Sequence, residues 1–138
     1  MTRPAKQLGV TLIELMIVVV VVAVLASIAV PSYRAFVIRA HRTEAKSVLL
    51  SLAAAQEKFY LQNNRYADTA ELTVAPPGGL GLPATTENGW YEIDIVDGDA
   101  DGFEATATAV ADQAQDSHCA EFSVNQAGVR DATNDDCW

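Results

Sequence analysis

Three acidic residues at alternate positions, Asp97, Asp99 and Asp101, could hold a cation. The run from Asp97 to Gly102 matches the first half of an EF-hand calcium loop, in which carboxylates at alternate positions bind the ion. The twelfth position is Thr108, where such a loop needs a bidentate glutamate. Both flanks alternate like strands. An acidic hairpin turn is therefore favoured, and a weak calcium site is the alternative.

The chain has two cysteines, Cys119 and Cys137. In an exported domain such a pair is typical of one disulfide. The bond would close a loop of 17 intervening residues, and the chain-entropy model gives it about 3 kcal/mol of stabilisation. A metal site that adds His118 is the alternative, but it lacks a fourth ligand and the usual zinc spacing. We therefore predict a disulfide and no cofactor.

Glu14 is an isolated acidic residue near the start of a long apolar segment, and no residue from Leu15 to Tyr33 is charged. The run from Val10 to Val30 is 21 residues, which as a helix reaches about 30 Å, enough to cross a bilayer. An acidic side chain at mid-membrane costs roughly 2.5–3.5 kcal/mol. A charge retained at such a cost usually marks contact with a specific partner.

A secretory signal peptide is the alternative interpretation of this segment. Arg3 and Lys6 would be its basic part, and Ser27-Ile28-Ala29 its cleavage site. The apolar run is longer than the usual 7–15 residues. The pattern also continues past Pro31 into a second helical stretch. A membrane helix is therefore preferred, with a kink at Pro31 because proline removes a backbone donor and clashes with the preceding turn.

The elements that follow the apolar segment predict an α+β fold. Residues 32–63 have an apolar stripe at helical spacing, with Gln56 and the charged residues mostly outside it. Three segments then alternate apolar and polar residues, as strands do, and a short fourth strand is expected near Val129. A long helix, apolar in its first half, should therefore pack on a three- to four-stranded antiparallel sheet. The stripe is Ile38, Ala45, Val48, Leu49, Leu52 and Phe59; the strands centre on Ile93, Ala105 and Phe122.

The charges are divided unevenly along the chain. Residues 1–66 hold eight Lys/Arg and three Asp/Glu, net +5, whereas residues 67–138 hold fifteen Asp/Glu and only Arg130, net −14. Direct nucleic-acid binding needs clustered Lys/Arg and is therefore not expected. The aromatic residues are expected in the helix–sheet core and its rim, and His41 is expected to be solvated. No phosphate loop, nucleophile elbow or acid–base pair is found, so the chain is not expected to be an enzyme.

The segment Gly9-Val10-Thr11-Leu12-Ile13-Glu14, with the Val-rich run and Pro31-Ser32-Tyr33, closely resembles the class III signal of type IV pilins and secretion pseudopilins. Further segments resemble PilE-type minor pilins of type IVa pili. They are Arg42-Thr43-Glu44-Ala45, Gln56 to Tyr66, Asn88-Gly89-Trp90-Tyr91 and Asp136-Cys137-Trp138. The likeness covers nearly the whole chain and is strongest up to Tyr66.

The resemblance implies a type IV pilin fold and a set of processing and assembly residues. A prepilin peptidase would cleave after Gly9, and the new terminus, Val10, would be N-methylated. Glu14 would then pair with the terminal amine of a neighbouring subunit, and the helix before Pro31 would melt locally in the pilus. The chain would divide into a leader (1–9), a transmembrane and filament-core helix (10–31), an amphipathic helix (32–65) and a globular domain (66–138).

A structural subunit of a type IV pilus, a minor pilin, is therefore the predicted function, in assembly and hence in twitching motility, adhesion or DNA uptake. A pseudopilin of type II secretion is the alternative. An adhesin or DNA-capture tip and an exported enzyme are rivals from other classes. The partners would be other pilins through the N-terminal helix, the peptidase, the inner-membrane assembly machinery and, before assembly, the membrane.

The resemblance also predicts the location: inner membrane first, with the C-terminal domain periplasmic, then the extracellular pilus. A count of charges beside the span would give the reverse orientation. The peptidase signal and the cysteine pair outweigh that count. The basic residues after the span either meet acidic groups on neighbouring subunits or are solvated; they are Arg34, Arg39, Arg42 and Lys46.

Overall fold

The structure is a computed structural model that describes residues 9–138. Arg3, Lys6 and the rest of the predicted leader before Gly9 lie outside the described residues. The described part falls into two compact units, one ending at Val37 and the other running from Ile38 to Trp138.

Helix α1 spans Leu12–Asn63 and runs through Pro31. Up to Val37 its side chains are nearly all exposed, and the two serines of this part satisfy their hydroxyls within the helix. Ser27 Oγ donates to the carbonyl of Val24 at 2.7 Å, and Ser32 Oγ donates to the carbonyl of Ile28 at 3.0 Å. Such bonds hide the polar groups of small residues inside an apolar segment.

The second unit contains a four-stranded antiparallel sheet in the order β1-β2-β3-β4. The strands are β1 (Tyr91–Gly98), β2 (Phe103–Ala109), β3 (Glu121–Asn125) and β4 (Arg130–Ala132). Ile93 pairs with Ala107, which pairs with Phe122, so the predicted apolar positions lie in register on one face. The predicted α+β architecture is confirmed, with the sheet at the upper end of the expected strand number.

The core lies between one face of α1 and the inner face of the sheet. The helix contributes Ala45, Leu49, Leu52 and Phe59, all at most 4% exposed. The buried aromatic side chains, among them Tyr91 and Phe122, share this core, as predicted.

Gln56, placed outside the stripe by the sequence pattern, lies inside the core, so that prediction is wrong. Its side chain is fully buried. The amide donates to the carbonyl of Ala67 and accepts from the Ala67 N–H, both at 2.8 Å. Because the primary amide matches a backbone donor and acceptor at once, a polar side chain is buried without an unmet hydrogen bond.

The connection before the sheet covers the outer edge of β1. The N–H of Ile93 donates to the carbonyl of Ala84 at 2.8 Å, and the N–H of Thr86 donates to the carbonyl of Tyr91 at 2.9 Å. Further along, Thr69 Oγ1 donates to the carbonyl of Ile95 at 2.6 Å. This edge strand therefore offers few free backbone groups to a further strand.

Candidate functional site

The first candidate site is the exposed apolar segment at the start of α1. Of the described helices, α1 alone is long and apolar enough to cross a membrane, by length and composition. The large apolar side chains from Val10, just before the helix, to Val30 are each at least half exposed. An apolar surface of this extent needs a cover, which lipid or other apolar helices can supply.

Glu14 lies in the first turn of α1, where Thr11 caps the helix. The backbone N–H of Glu14 donates to Thr11 Oγ1 at 3.3 Å, and the N–H of Leu15 donates to the Thr11 carbonyl at 3.1 Å. The spacing Thr-x-x-Glu is that of a capping box. A carboxylate here also interacts favourably with the helix dipole, by about 0.3–1 kcal/mol. Sequence reasoning missed this local role, although the spacing signalled it.

The two residues predicted to be processed precede the helix. Gly9 is exposed, and among residues 9–138 no atom lies within 4 Å of where its side chain would be; Val10 is 71% exposed. Among residues 9–138, the ion pairs do not include the Glu14 carboxylate. Within the part of the chain that the structure describes, the Glu14 carboxylate is therefore available to a cation from another chain.

Arg42 forms an ion pair with Asp116 within its own chain. Its Nε and Nη2 donate to the two carboxylate oxygens at 2.7 and 2.9 Å, and the side chains are 17% and 4% exposed. The hydrogen bond to Asp116 raises the pKa of Arg42. Because the pair is bidentate and largely shielded from water, it fixes α1 to the segment before β3.

Lys46 also contacts its own chain, over the rings of Phe122 (5.7 Å to the centroid) and Trp138 (6.0 Å). The expectation that Arg42 and Lys46 are solvated or reach neighbouring subunits is therefore wrong. Both residues lie on the helix face that packs against the rest of the globular unit. Tertiary contacts place them there, and the local sequence pattern does not show it. The expectation stays open for Arg34 and Arg39, which are exposed.

His41, expected to be solvated, is instead packed against Trp90, so that prediction is wrong as well. The two rings stack with centroids 4.4 Å apart and planes 10° apart. Gln113 Nε2 donates to the Ile38 carbonyl at 3.1 Å, to Tyr91 Oη at 2.9 Å and towards the Asp116 carboxylate at 3.3 Å. Its Oε1 must then accept from His41 Nδ1, 3.0 Å away, so Nδ1 carries the hydrogen.

This buried network predicts a loss of stability at high pH. Burial raises the pKa of Tyr91 to about 12, although the hydrogen bond from Gln113 lowers it in part. Because the folded state holds the phenol proton more tightly, stability is intact up to about pH 10 and falls between pH 10 and 12, by about 2–3 kcal/mol. Urea unfolding at pH 9.5 and 11.5 measures the fall. Tyr91→Phe should lack this pH-dependent loss of unfolding free energy, whereas Tyr33→Phe, at an exposed position, should keep it. Equal losses in the two variants would contradict the assignment of the loss to Tyr91.

The acidic segment from Asp97 to Gly102 forms the turn between β1 and β2. Asp99 Oδ1 accepts from the N–H groups of Asp101 and Gly102, at 2.7 and 3.0 Å. Asp97 belongs to β1, next to an irregular register. The favoured hairpin turn is thus present, and one of the three carboxylates is turned to its own backbone. The weak calcium site stays an untested alternative.

The predicted pairing of Cys119 with Cys137 is present as a disulfide, with Cα atoms 5.7 Å apart. It fixes the chain end, where the Trp138 ring meets Phe122 edge to face at 5.8 Å and Arg130 lies 5.4 Å above the indole. The sulfurs of the metal-site alternative are therefore bonded to each other. His118 Nε2 lies 2.9 and 3.0 Å from the Asp136 carboxylate oxygens, and this hydrogen bond lowers the pKa of Asp136.

Reduction of the disulfide is expected to lower the free energy of unfolding by about 3 kcal/mol, because the unfolded chain regains the entropy of an open loop. Urea unfolding with and without dithiothreitol, after a thiol assay on the untreated protein, checks this. Cys119→Ala/Cys137→Ala is the matched control and should not respond to the reductant. Two reactive thiols in untreated protein would contradict the pairing.

Two family models match the chain. The model described as "Type IV minor pilin ComP, DNA uptake sequence receptor" matches residues 31–123, and the model described as "Prokaryotic N-terminal methylation motif" matches residues 4–30. The second match includes Gly9, Val10, Glu14 and the exposed apolar segment. Together the two matches run over both compact units.

Curated relatives are similar over about half of the chain. The type IV major pilin PilA of Myxococcus xanthus is 46% identical over 72 residues, which are 51% of this chain and 33% of that protein. The type II secretion system core protein G of Pectobacterium carotovorum is 41% identical over 66 residues, 48% of this chain and 42% of that protein. The chain thus spans a third to two fifths of the length of these relatives.

A solved structure has the same fold. It is the non-core minor pilin PilV of Neisseria meningitidis, with a TM-score of 0.52 and 17% sequence identity. The match covers 70% of this chain and 87% of that chain.

Proposed function

The chain belongs to the type IV minor pilin family whose model spans residues 31–123, and from that premise we propose that it is a structural subunit of a type IV pilus. The observation that carries the proposal is the exposed apolar half of α1, preceded by a methylation motif and followed by a folded, strongly acidic domain. One part needs an apolar cover and the other stays soluble, as a subunit that moves from a membrane to a filament requires.

The proposed processing is cleavage after Gly9 by a prepilin peptidase and N-methylation of Val10. The methylation-motif match over residues 4–30 supports it. Gly9 and Val10 are both exposed, as the two sides of a cleavage site must be. Cleavage would expose a cationic amine on Val10, four residues before Glu14.

The proposed route begins in the inner membrane and ends in the pilus. The segment 10–31 would hold the subunit in the bilayer with the globular domain, 66–138, in the periplasm. The amphipathic helix, 32–65, would join the two. During assembly the same apolar segment would pack against other pilins, and the helix before Pro31 would melt locally, because Pro31 leaves one carbonyl of the preceding turn without its backbone donor.

Mass spectrometry of pili sheared from cells tests this proposal. We expect a protein whose N-terminus is a methylated Val10, present beside other pilins. Its stoichiometry would show whether it is a minor or an abundant subunit. An unprocessed Met1 terminus in the mature protein would contradict the proposal. So would its absence from the pili of cells that express it and assemble pili normally.

A pseudopilin of type II secretion is the second candidate, because core protein G relatives are about 40% identical over about half of the chain. A pseudopilin would use an exposed apolar segment and a methylation motif in the same way as a pilin. Deletion of the gene separates the candidates: loss of pili or twitching with normal secretion supports the pilus, and loss of an exported enzyme with normal pili supports the secretion system.

The family description names a DNA uptake sequence receptor, but we propose that this chain does not itself bind duplex DNA. Residues 67–138 carry fifteen acidic residues against the single Arg130, and Arg130 lies over the Trp138 ring. Binding of DNA depends on cations that release counterions from phosphates. Fluorescence anisotropy with labelled duplex at low salt should show no binding; saturable, salt-sensitive binding would contradict this.

A further inference from the structure

Three potential metal ligands lie together where the chain end is fixed to the sheet. The ligand atoms of His118, Cys119 and Cys137 are all within 4.8 Å of one another. Asp136 is outside this group, but its carboxylate lies 2.9 Å from His118 Nε2 and it directly precedes Cys137. A turn of its exposed side chain towards the sulfurs would make Asp136 the fourth ligand, which the sequence pattern alone did not reveal.

We propose that, when the Cys119–Cys137 disulfide is reduced, His118, Cys119, Asp136 and Cys137 bind one Zn²⁺ ion. A dithiol donates two electrons and two protons to the S–S bond, becomes a disulfide itself and leaves two thiols. Zinc binding then releases both thiol protons to solvent and forms two zinc–thiolate bonds. The imidazole and the carboxylate complete a four-coordinate site.

The two sulfurs need only a small movement to reach the spacing of tetrahedral zinc. Zinc–sulfur bonds of about 2.3 Å place two thiolates about 3.8 Å apart, so the sulfurs of Cys119 and Cys137 must separate by about 2 Å once their bond is broken. An imidazole nitrogen and a carboxylate oxygen on one zinc lie about 3.3 Å apart, close to the present separation between His118 and Asp136. Thiolate and imidazole ligands favour zinc over calcium or magnesium.

Exposure gives the ion a path to the site. Both cysteines are buried, at 0% and 2% exposure, whereas the side chains of His118 and Asp136 are 56% and 73% exposed. The ion can therefore be captured by the exposed pair and passed to the two sulfurs behind it. The disulfide and the zinc ion would use the same sulfurs, so each excludes the other, and either one holds Trp138 against the sheet.

Metal titration of the full chain in detergent micelles tests the proposal. The protein is reduced with dithiothreitol, desalted without oxygen and titrated with Co²⁺ and then Zn²⁺. We expect thiolate-to-cobalt charge-transfer absorption and the visible bands of tetrahedral cobalt, both abolished by one equivalent of Zn²⁺. The oxidised protein should show neither, because its sulfurs are not thiolates.

Two variants locate the site. His118→Gln and Asp136→Asn change exposed side chains, and each should weaken zinc binding to the reduced protein by at least about tenfold. His41→Gln replaces the other histidine of the chain and should leave zinc affinity unchanged. If the reduced wild-type protein binds zinc no more tightly than reduced His118→Gln, the proposal is wrong. This holds whether or not the reduced proteins are folded. The assay needs no pilus, so its failure leaves the proposed function untouched.

Discussion

Glu14→Ala is expected to leave membrane insertion intact and to abolish or strongly reduce incorporation into pili. After the proposed cleavage, the cationic amine of Val10 and the Glu14 carboxylate would both lie at the edge of an apolar segment, where each charge is costly alone. Pairing between neighbouring subunits removes both costs at once, and the attraction is strong where water is excluded. Removing the carboxylate leaves the amine of a neighbour unpaired.

The local structure around Glu14 makes this variant informative. The cap bond to Thr11 Oγ1 comes from the backbone N–H of residue 14, so alanine keeps it. The lost dipole interaction is worth only about 0.3–1 kcal/mol, too little to explain a loss of assembly. Glu14→Gln, which keeps shape and removes charge, should therefore behave like Glu14→Ala.

Membrane fractionation together with immunoblots of sheared pili measures both steps. Ser27→Ala is the matched control. It removes a polar group from the same segment, and this hydroxyl donates its hydrogen bond within its own helix. Its incorporation should be normal. Normal incorporation of Glu14→Ala would refute the assembly role, and loss of the variant from the membrane would assign Glu14 to insertion instead.

Asp116→Ala is expected to lower the free energy of unfolding by about 2–3 kcal/mol, because it leaves the half-buried Arg42 guanidinium without the partner of its two charged hydrogen bonds. The variant also removes the acceptor of the Cys119 N–H, 3.3 Å away. Urea unfolding at neutral pH measures the loss. Asp112→Ala, an exposed position in the 3-10 helix Ala111–Gln115, is the matched control and should change stability by less than about 0.5 kcal/mol.

A second variant separates the charge from the packing. Arg42→Met/Asp116→Leu removes both charges and keeps apolar volume, so it should recover much of the stability that Asp116→Ala loses. If Asp116→Ala unfolds like Asp112→Ala, the ion pair contributes little, and the order of this region comes from Gln113 and the disulfide.

Local sequence pattern was enough for the strands and the main helix face. Apolar residues alternate with polar ones around Ile93, Ala107 and Phe122. This period of two follows from strand geometry itself and does not depend on the tertiary contacts. The same logic failed at Gln56, His41 and Arg42. Each is polar, and each is held by a hydrogen bond to a partner at least 11 residues away in sequence: Ala67, Gln113 and Asp116. Such pairs are set by the completed fold, so no local period signals them.

The candidate site divides in the same way. The residues proposed for processing and assembly lie in one contiguous segment, so motif and spacing predict them without a fold; they are Gly9, Val10, Glu14 and Pro31. The fourth ligand of the proposed zinc site, Asp136, is 18 residues from His118. Only the closure of the chain end onto β3 brings it there.

The covered edge of β1 bears on how the proposed subunit would wait for assembly. Copies anchored in a bilayer would be crowded in two dimensions, and open strand edges at such density would template cross-strand aggregates. Ala84, Thr86 and Thr69 bond along β1 and close this edge to an incoming strand. The opposite edge is the three-residue strand β4, and so short an edge templates little pairing. Stored copies would therefore stay single until assembly.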